Sequence, residues 1–238
     1  RSESDRMGYL LPALTEAKFA NQRDVVLNER RQNYENRPYG LAPMALFGAL
    51  FPPDHPYHWT TIGEIADVRD ARLDDVRAFF AAYYHPANAS LALAGDFDAG
   101  EALDLVRRCF DEIPPGPAVA PVAPPAPSLD HEGRLVLEDR VELPRLYLAW
   151  PTPALFRPDE AELDLAADVL ANGKTSRLYR RLVFEERMAT DVSASQSSRE
   201  IAGFLQVAAT AAPDHGLAEI LRASLRAVPR DVLDDRSF

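Results

Sequence analysis

The chain has 238 residues, of which 47% are hydrophobic and 26% charged, the balance of a globular protein of one or two domains. Its formal net charge of −11 argues against nucleic acid as the main partner, because neutralising phosphates takes clustered lysines and arginines. The arginine pairs Arg30–Arg31 and Arg180–Arg181 lie among acidic neighbours, so both are predicted to be solvated helix faces. No apolar run approaches the length that crosses a membrane, so the sequence predicts no membrane span.

The first half of the sequence is predicted to be mostly helical, because apolar residues recur there at spacings of three and four. The predicted helices cover residues 3–15, 16–36, 41–50, 63–68, 73–84 and 99–110. One strand is predicted over Ala89–Ala94, between a His-Pro-Ala-Asn turn and Gly95.

A proline-rich segment follows, and it divides the chain into two parts of similar size. Seven prolines between Ile113 and Ser128 remove backbone donors and favour extended geometry. The segment over residues 114–130 is therefore predicted to be a semi-rigid linker. It separates a first part, residues 1–113, from a second part, residues 131–238.

The second part is predicted to alternate strands and helices. Alternating or dense apolar residues predict strands over 134–139, 145–150, 189–198 and 201–210, the last two as a hairpin. Helices are predicted over 158–172, 175–187 and 214–227, with Asn172-Gly173 as a left-handed cap. Helices beside antiparallel or mixed strands indicate the α+β class.

The residues with the clearest chemical signal lie in the helix over 16–36. Gln22, Val25 or Val26, and Glu29 fall on one face, since seven residues make almost two helical turns. A carboxylate on a largely apolar face needs a partner, because an unpaired buried charge is costly. Taken alone, the pattern predicts that Glu29 pairs with an arginine or caps another helix. Metal binding by Glu29 is the less favoured alternative.

The stretch from Phe19 to Gly40 resembles the helix that supplies the third zinc ligand in the pitrilysin/insulinase family. The ligand there is the Glu of a Val-Val-x-x-Glu pattern, which is Glu29 in this sequence. Members carry His-x-x-Glu-His several dozen residues upstream, where the histidines bind zinc and the glutamate is the general base. The resemblance therefore implies Zn²⁺ bound in part by Glu29, with a coordination position left open for water.

One position beside the implied ligand departs from many relatives. They have a second glutamate one heptad before the ligand, and this sequence has Gln22 there. An amide can hydrogen-bond but supplies no negative charge, so Gln22 is expected to tune the ligand differently. Zinc binding by Glu29 is still expected.

Further motifs follow the order and spacing of bacterial members of the family. They are Arg37–Gly40, His55–Tyr57, Ile62-Gly63, Tyr84–Ala89, Gly95–Asp98 and Gly173–Tyr179. The chain is thus identified as an internal fragment of such a protein. Residues 1–113 resemble the later part of a zinc-bearing repeat, and residues 131–238 the earlier part of a second, metal-free repeat.

The metal-free repeat lacks two residues that grip the substrate in one-chain or partner-supplied enzymes of the family. The positions of that Arg and that Tyr, seven residues apart, hold Val183 and Thr190. This pattern resembles the zinc-bearing subunit of two-chain bacterial enzymes, in which a companion subunit of the same fold contributes the Arg/Tyr pair. The resemblance implies a heterodimeric metalloendopeptidase that hydrolyses peptides or small unfolded proteins, and it favours the periplasm over the cytoplasm.

Within this sequence no catalytic residue is expected, since the general base and the zinc histidines belong to an upstream segment, and the fragment is expected to be inactive. The competing hypothesis is a scaffold or assembly subunit of the same fold that has lost the metal.

Other signals in the sequence are weaker. His55 and His58 have no clear third ligand, so they are predicted to be solvated or packing residues. Gly173-Lys174-Thr175 follows a predicted helix and lacks the earlier glycine of a phosphate-binding loop.

Overall fold

The computed structural model describes residues 1–124, 127 and 129–227, with the backbone alone at 225–227. Pro125, Ala126 and Ser128 of the predicted linker, and residues 228–238 of the second part, lie outside the described residues. The chain forms two compact units: one comprises residues 1–32 and 62–122, and the other comprises residues 33–61 and 123–238.

Helices make up the regular structure of the first unit. They are α1 (Ser2–Ala13), α2 (Glu16–Arg30), α4 (Ile65–Asp70), α5 (Leu73–Tyr83) and α6 (Ala99–Phe110). Two of them begin with side-chain caps, at residue types that commonly cap helices. The hydroxyl of Thr15 accepts from the backbone N–H of Lys18 at 3.4 Å, and the carboxylate of Asp98 accepts from that of Glu101 at 2.9 Å.

The start of the proline-rich segment packs against the turn that follows α5. The backbone N–H of Ala87 donates to the carbonyl of Pro115 at 2.8 Å. Gly116 adopts φ +81°, and its backbone lies against the ring of His85, where no side chain would fit. His85 is buried, and its Nε2–H donates to the carbonyl of Ala82 at 3.1 Å. The segment is therefore anchored where it leaves α6, before its remaining prolines.

The second unit contains a three-stranded antiparallel sheet in the order β1-β3-β2. Its strands are β1 (Arg145–Thr152), β2 (Ala189–Ser198) and β3 (Gly203–Ala211), and its helices are α3 (Ala42–Leu50), α7 (Glu160–Ala171) and α8 (Leu217–Ala227). β3 pairs on both sides, with Val207 opposite Leu148 of β1 and Ala194 of β2. Gly173, which follows α7, has φ +78°, which confirms the predicted left-handed cap.

The central strand β3 is buried on both faces, because strand side chains alternate between them. Val207, Ala209 and Ala211 point into a core formed with α7, α8 and the π-helical segment Tyr179–Glu185. Phe204 points into a second cluster, with Phe47, Leu50 and Phe51 from α3 and the residue after it. The helices and strands of this unit confirm the α+β class.

Two predicted strands are absent from the sheet. Residues 89–94 and 134–139 have neither helical nor strand structure, and Leu91, Leu93, Leu135 and Val136 stay exposed. The predictions were wrong because an apolar alternation makes a strand only when a second strand pairs with its backbone. Among the described residues, neither segment has that partner. No described helix has the length and apolar character needed to span a membrane.

Candidate functional site

Glu29 lies in the last turn of α2, and its side chain is exposed. Directly after α2 the backbone widens into a π-helical segment, Arg31–Glu35, so the predicted helix over 16–36 is present but changes geometry at Arg30. Within the part of the chain that the structure describes, the Glu29 carboxylate forms no hydrogen bond or ion pair. The pairing that its sequence pattern favoured is therefore not seen, and the carboxylate oxygens are available for a ligand.

Gln22 is exposed on the same face of α2 as Glu29, one heptad earlier. Val25 lies between them and is 38% exposed. The face that the sequence suggested to be apolar and covered is thus open in this chain. Its two polar side chains are offset by about 10.5 Å along the helix axis.

Arg30 contradicts the prediction that the Arg30–Arg31 pair is solvated. Its side chain is only 8% exposed, and it donates to the carbonyl of Gly63 and to Oε2 of Glu64 at 3.4 Å. Arg31 is exposed, as predicted, and donates to Oδ1 of Asn28 at 3.0 Å. The prediction failed for Arg30 because acidic sequence neighbours say nothing about a partner that lies more than thirty positions away along the chain.

A second arginine of α2 bonds to the same neighbouring helix. The guanidinium of Arg23 donates to the carbonyls of Ala71 at 3.2 Å and Arg69 at 3.5 Å, at the carboxyl end of α4. Neither arginine was identified as functional from the sequence. The signal that could have found them is their seven-residue spacing, which places both on one face of α2 immediately beside the face of Gln22 and Glu29.

The described residues do not bring a full zinc site together. Across residues 1–124, 127 and 129–224, no three His, Cys, Asp or Glu side chains are grouped so that they could hold a metal ion. A catalytic zinc takes three protein ligands. Glu29 fits the role of one carboxylate ligand by its chemistry and exposure, and the remaining ligands would have to come from other residues.

The positions implied for the substrate-gripping pair serve the fold of the second unit. Val183 is half-buried and packs against the core on one face of the sheet. Thr190 is exposed on the edge strand β2, and its hydroxyl lies 3.4 Å from the carbonyl oxygen of Thr210. Neither side chain offers the positive charge or the phenol that such a grip requires.

His55 is a packing residue, as one of the two sequence-based alternatives predicted. It is fully buried, and its ring stacks on Phe51 with 4.8 Å between centroids and contacts Tyr57 at 5.2 Å. The backbone N–H of Tyr57 donates to Nδ1 of His55 at 3.0 Å, which places the proton of the neutral ring on Nε2. His58 is half-buried, and its Nδ1–H donates to the carbonyl of Phe51 at 2.7 Å.

Burial lowers the pKa of His55, and the negative charge of Asp54 opposes that shift only in part. A charged imidazolium would lose the hydrogen bond from the Tyr57 N–H, because protonated Nδ1 can no longer accept it. A positive charge is also already present nearby, since the Arg199 guanidinium lies 5.3 Å from the centre of the Tyr57 ring. Because the unfolded chain binds this proton more readily than the folded one, folding stability rises with pH in this range. The stability that neutral His55 contributes is present above about pH 6.5 and is lost as the pH falls below it.

We therefore expect the protein to lose stability between about pH 7 and 5 more steeply than a His55→Phe variant does. The comparison is made on the slope of the urea-unfolding free energy against pH, so a constant packing difference cancels. Trp59 and Trp150 both lie in the unit that contains His55, and their fluorescence reports its unfolding. His131→Gln, which removes an exposed histidine, is the control and should keep the steep slope. Parallel slopes for the protein and for His55→Phe would contradict the assignment.

Comparison with known proteins identifies relatives over most of the chain. The family profile described as the peptidase M16 inactive domain matches residues 70–235. The zinc protease PqqE of Helicobacter pylori is 31% identical over 180 residues, which cover 74% of this chain and 40% of that protein. Glu29 precedes the region that the family profile matches.

Solved structures give the same fold. A protease from Helicobacter pylori has a TM-score of 0.75 at 27% identity, over 90% of this chain and 52% of that one. A peptidase M16 inactive domain from Pseudomonas fluorescens has a TM-score of 0.76 at 20% identity, over 98% of this chain and 59% of that one, a likeness of fold alone. The chain spans less than two thirds of the length of each of these three relatives.

Proposed function

The chain belongs to the peptidase M16 family, and from this premise we propose that it is part of a zinc-dependent endopeptidase that hydrolyses peptides or small unfolded proteins. The observation that carries the proposal is the Glu29 carboxylate, exposed near the end of a helix and without a partner among the described residues. The relative that is 31% identical to this chain is a zinc protease, which supports the same reaction class.

In this proposal the parts of the chain have different roles. Residues 1–113 belong to a zinc-bearing repeat, residues 114–130 connect, and residues 131–238 belong to a metal-free repeat that forms cavity wall and subunit contacts. The match of residues 70–235 to a domain described as inactive supports a non-catalytic role for the later part.

Glu29 would supply one zinc ligand, and residues outside this sequence would supply two histidines and the general-base glutamate. Zinc held in this way polarises a scissile carbonyl and activates water. Gln22, exposed one heptad before Glu29, would hydrogen-bond beside the ligand without adding charge. The 238-residue chain by itself would have no chelator-sensitive peptidase activity.

The working enzyme would be a heterodimer with a companion subunit of the same fold. Val183 and Thr190 occupy the positions where an arginine and a tyrosine would grip the substrate, and neither can replace them. The companion would contribute that pair.

A scaffold or assembly subunit is the second candidate. The match of residues 70–235 to a domain described as inactive favours it. It differs from the first candidate in a measurable way, because a scaffold needs neither zinc nor an exposed carboxylate at position 29.

The test uses the full-length protein isolated from its own cells with its companion, and each subunit after separation. We expect about one zinc per molecule, as a catalytic site requires, and chelator-sensitive cleavage of a quenched-fluorescent unstructured peptide by the complex. The separated subunits should each lose that cleavage and regain it on mixing. Cleavage by the isolated subunit would refute the heterodimer, and a complex with neither zinc nor cleavage would favour the scaffold.

A further inference from the structure

We propose that Arg23 and Arg30 clamp α2 onto α4 and so act as positioning residues that set the direction in which Glu29 presents its carboxylate. The inference rests on the proposed function, because it concerns the same zinc ligand. It goes beyond that function by assigning a role to two arginines that project from the neighbouring face of α2.

The Arg30 end of the clamp is buried. Its guanidinium, on a side chain that is 8% exposed, bonds to the Gly63 carbonyl and to the Glu64 carboxylate, directly before α4 begins. A buried guanidinium must keep such partners, because leaving its charge unpaired is costly. Hydrogen bonds from a charged donor are also stronger than neutral ones. This end of α2 therefore cannot move away from α4 without a large penalty.

The Arg23 end holds the opposite terminus of α4. Its guanidinium bonds to the carbonyl of Arg69, in the last turn of α4, and to that of Ala71, directly after α4. Carbonyls at a helix end lack intrahelical partners. A positive charge there also interacts favourably with the helix dipole. The same guanidinium lies 5.4 Å from the ring centre of Phe19, a buried residue of α2. Arg23 is thus held by its own helix as well as by α4.

The spacing of the two arginines matches the length of the helix they hold. Seven residues of α2 advance about 10.5 Å, and the six residues of α4 span about 9 Å. Seven residues also return to within about 20° of the same direction, so both arginines project from one face. Bonds at both ends of α4 therefore prevent α2 from sliding along it and from turning about its own axis.

This restraint fixes Glu29, because Glu29 directly precedes Arg30. Adjacent helical residues point about 100° apart, so the anchored arginine face determines where the carboxylate points. A slip of one residue would turn Glu29 by the same angle and remove it from a metal held by other ligands. Groups that orient a metal ligand without touching the metal commonly change its affinity about 10- to 100-fold.

The test measures zinc affinity of the full-length protein by competition with a chromogenic chelator. Arg30→Gln is expected to weaken zinc binding about 10- to 100-fold while one zinc still binds at saturation. Arg30→Lys, which keeps the charge but loses the forked geometry, should recover part of the loss. Arg31→Gln is the matched control, since Arg31 is exposed and its side chain bonds, within the described part of the chain, only to the nearby Asn28. Equal zinc affinity in Arg30→Gln and Arg31→Gln would overturn the inference, even if Arg30→Gln unfolds at a lower temperature.

A second variant and a metal-free measurement keep the inference testable. If Arg30→Gln does not fold, the half-exposed Arg23→Gln should show a smaller loss in the same direction, and unchanged affinity would overturn the clamp. In metal-free protein, amide hydrogen exchange over residues 16–30 should be faster in either variant, and unchanged exchange would also overturn it. The Glu29→Gln variant in the zinc assay separates the two proposals. If Glu29→Gln still binds zinc, Glu29 is not the ligand. If Glu29→Gln loses zinc while the arginine variants keep normal zinc affinity, only the clamp is refuted.

Discussion

Replacing Glu29 by glutamine in the full-length protein is expected to abolish stoichiometric zinc binding. It should also lower kcat/KM for an unstructured peptide by more than about 100-fold. That loss exceeds the effect of removing a residue that only orients a metal ligand, which reaches about 100-fold. Glutamine keeps the shape of the side chain but removes its charge, and a neutral amide is a poor ligand for zinc. Since Glu29 is exposed and its carboxylate makes no bond to other described residues, the folded structure should not change.

The matched control is Glu16→Gln, the same chemical change at an exposed position of the same helix. Thirteen residues of α2 separate the two positions, which places them on roughly opposite faces. The control should keep its zinc and its activity, with at most a small loss of stability from the first turn of α2. Metal analysis and peptide hydrolysis report the two results separately. Unchanged zinc content in Glu29→Gln would remove this residue from the site.

Gly116→Ala is expected to lower the free energy of unfolding by about 2–5 kcal/mol, the sum of a left-handed backbone penalty and of overpacking. Gly116 has φ +81°, and a Cβ at this position would overlap the ring of His85. The ring cannot easily move away, because His85 is buried and its Nε2–H donates to the carbonyl of Ala82. The substitution should therefore release the first part of the proline-rich segment from the turn after α5.

Urea unfolding followed by circular dichroism measures this loss, because the unit that contains Gly116 is helical. Gly133→Ala is the control. Apart from the two chain neighbours of Gly133, no described residue has an atom within 4 Å of a Cβ built there, and the change should stay within about 0.5 kcal/mol. Equal stability of the two variants would show that the segment is not held against His85. The result also tests the predicted linker, since the added methyl group lowers the free energy of unfolding only if the segment is anchored against His85.

Much of the fold was predictable, because helices depend on residues close in sequence. Apolar spacing located α1, α5 and α6 to within two residues of their observed bounds. The strands β1, β2 and β3 were also placed, since each is dense in apolar or alternating residues and pairs with a neighbour. The predicted strands over 89–94 and 134–139 show the same local pattern without a partner, and local pattern does not reveal whether a partner exists.

The candidate site was predictable only in part. The resemblance of the Val-Val-x-x-Glu stretch to the family's ligand helix implied Glu29 as a ligand and Gln22 as the residue beside it, and both lie on one face of α2. It did not indicate the buried Arg30, whose bonds to Gly63 and Glu64 depend on how α4 returns to α2. Arginine patterns look alike in sequence whether the side chain is solvated or buried.

By itself the sequence indicated the α+β class and the positions of most helices, because both follow from local periodicity. Its resemblance to the family indicated Glu29 as the zinc ligand that we propose. Only the tertiary structure decided the strand order β1-β3-β2, the anchoring of Gly116 on His85, and the bonds that join Arg23 and Arg30 to the two ends of α4. The physical reason is the same in each case. These features depend on contacts between residues far apart in the chain, and the free energy of such contacts exists only once the backbone has brought the partners together.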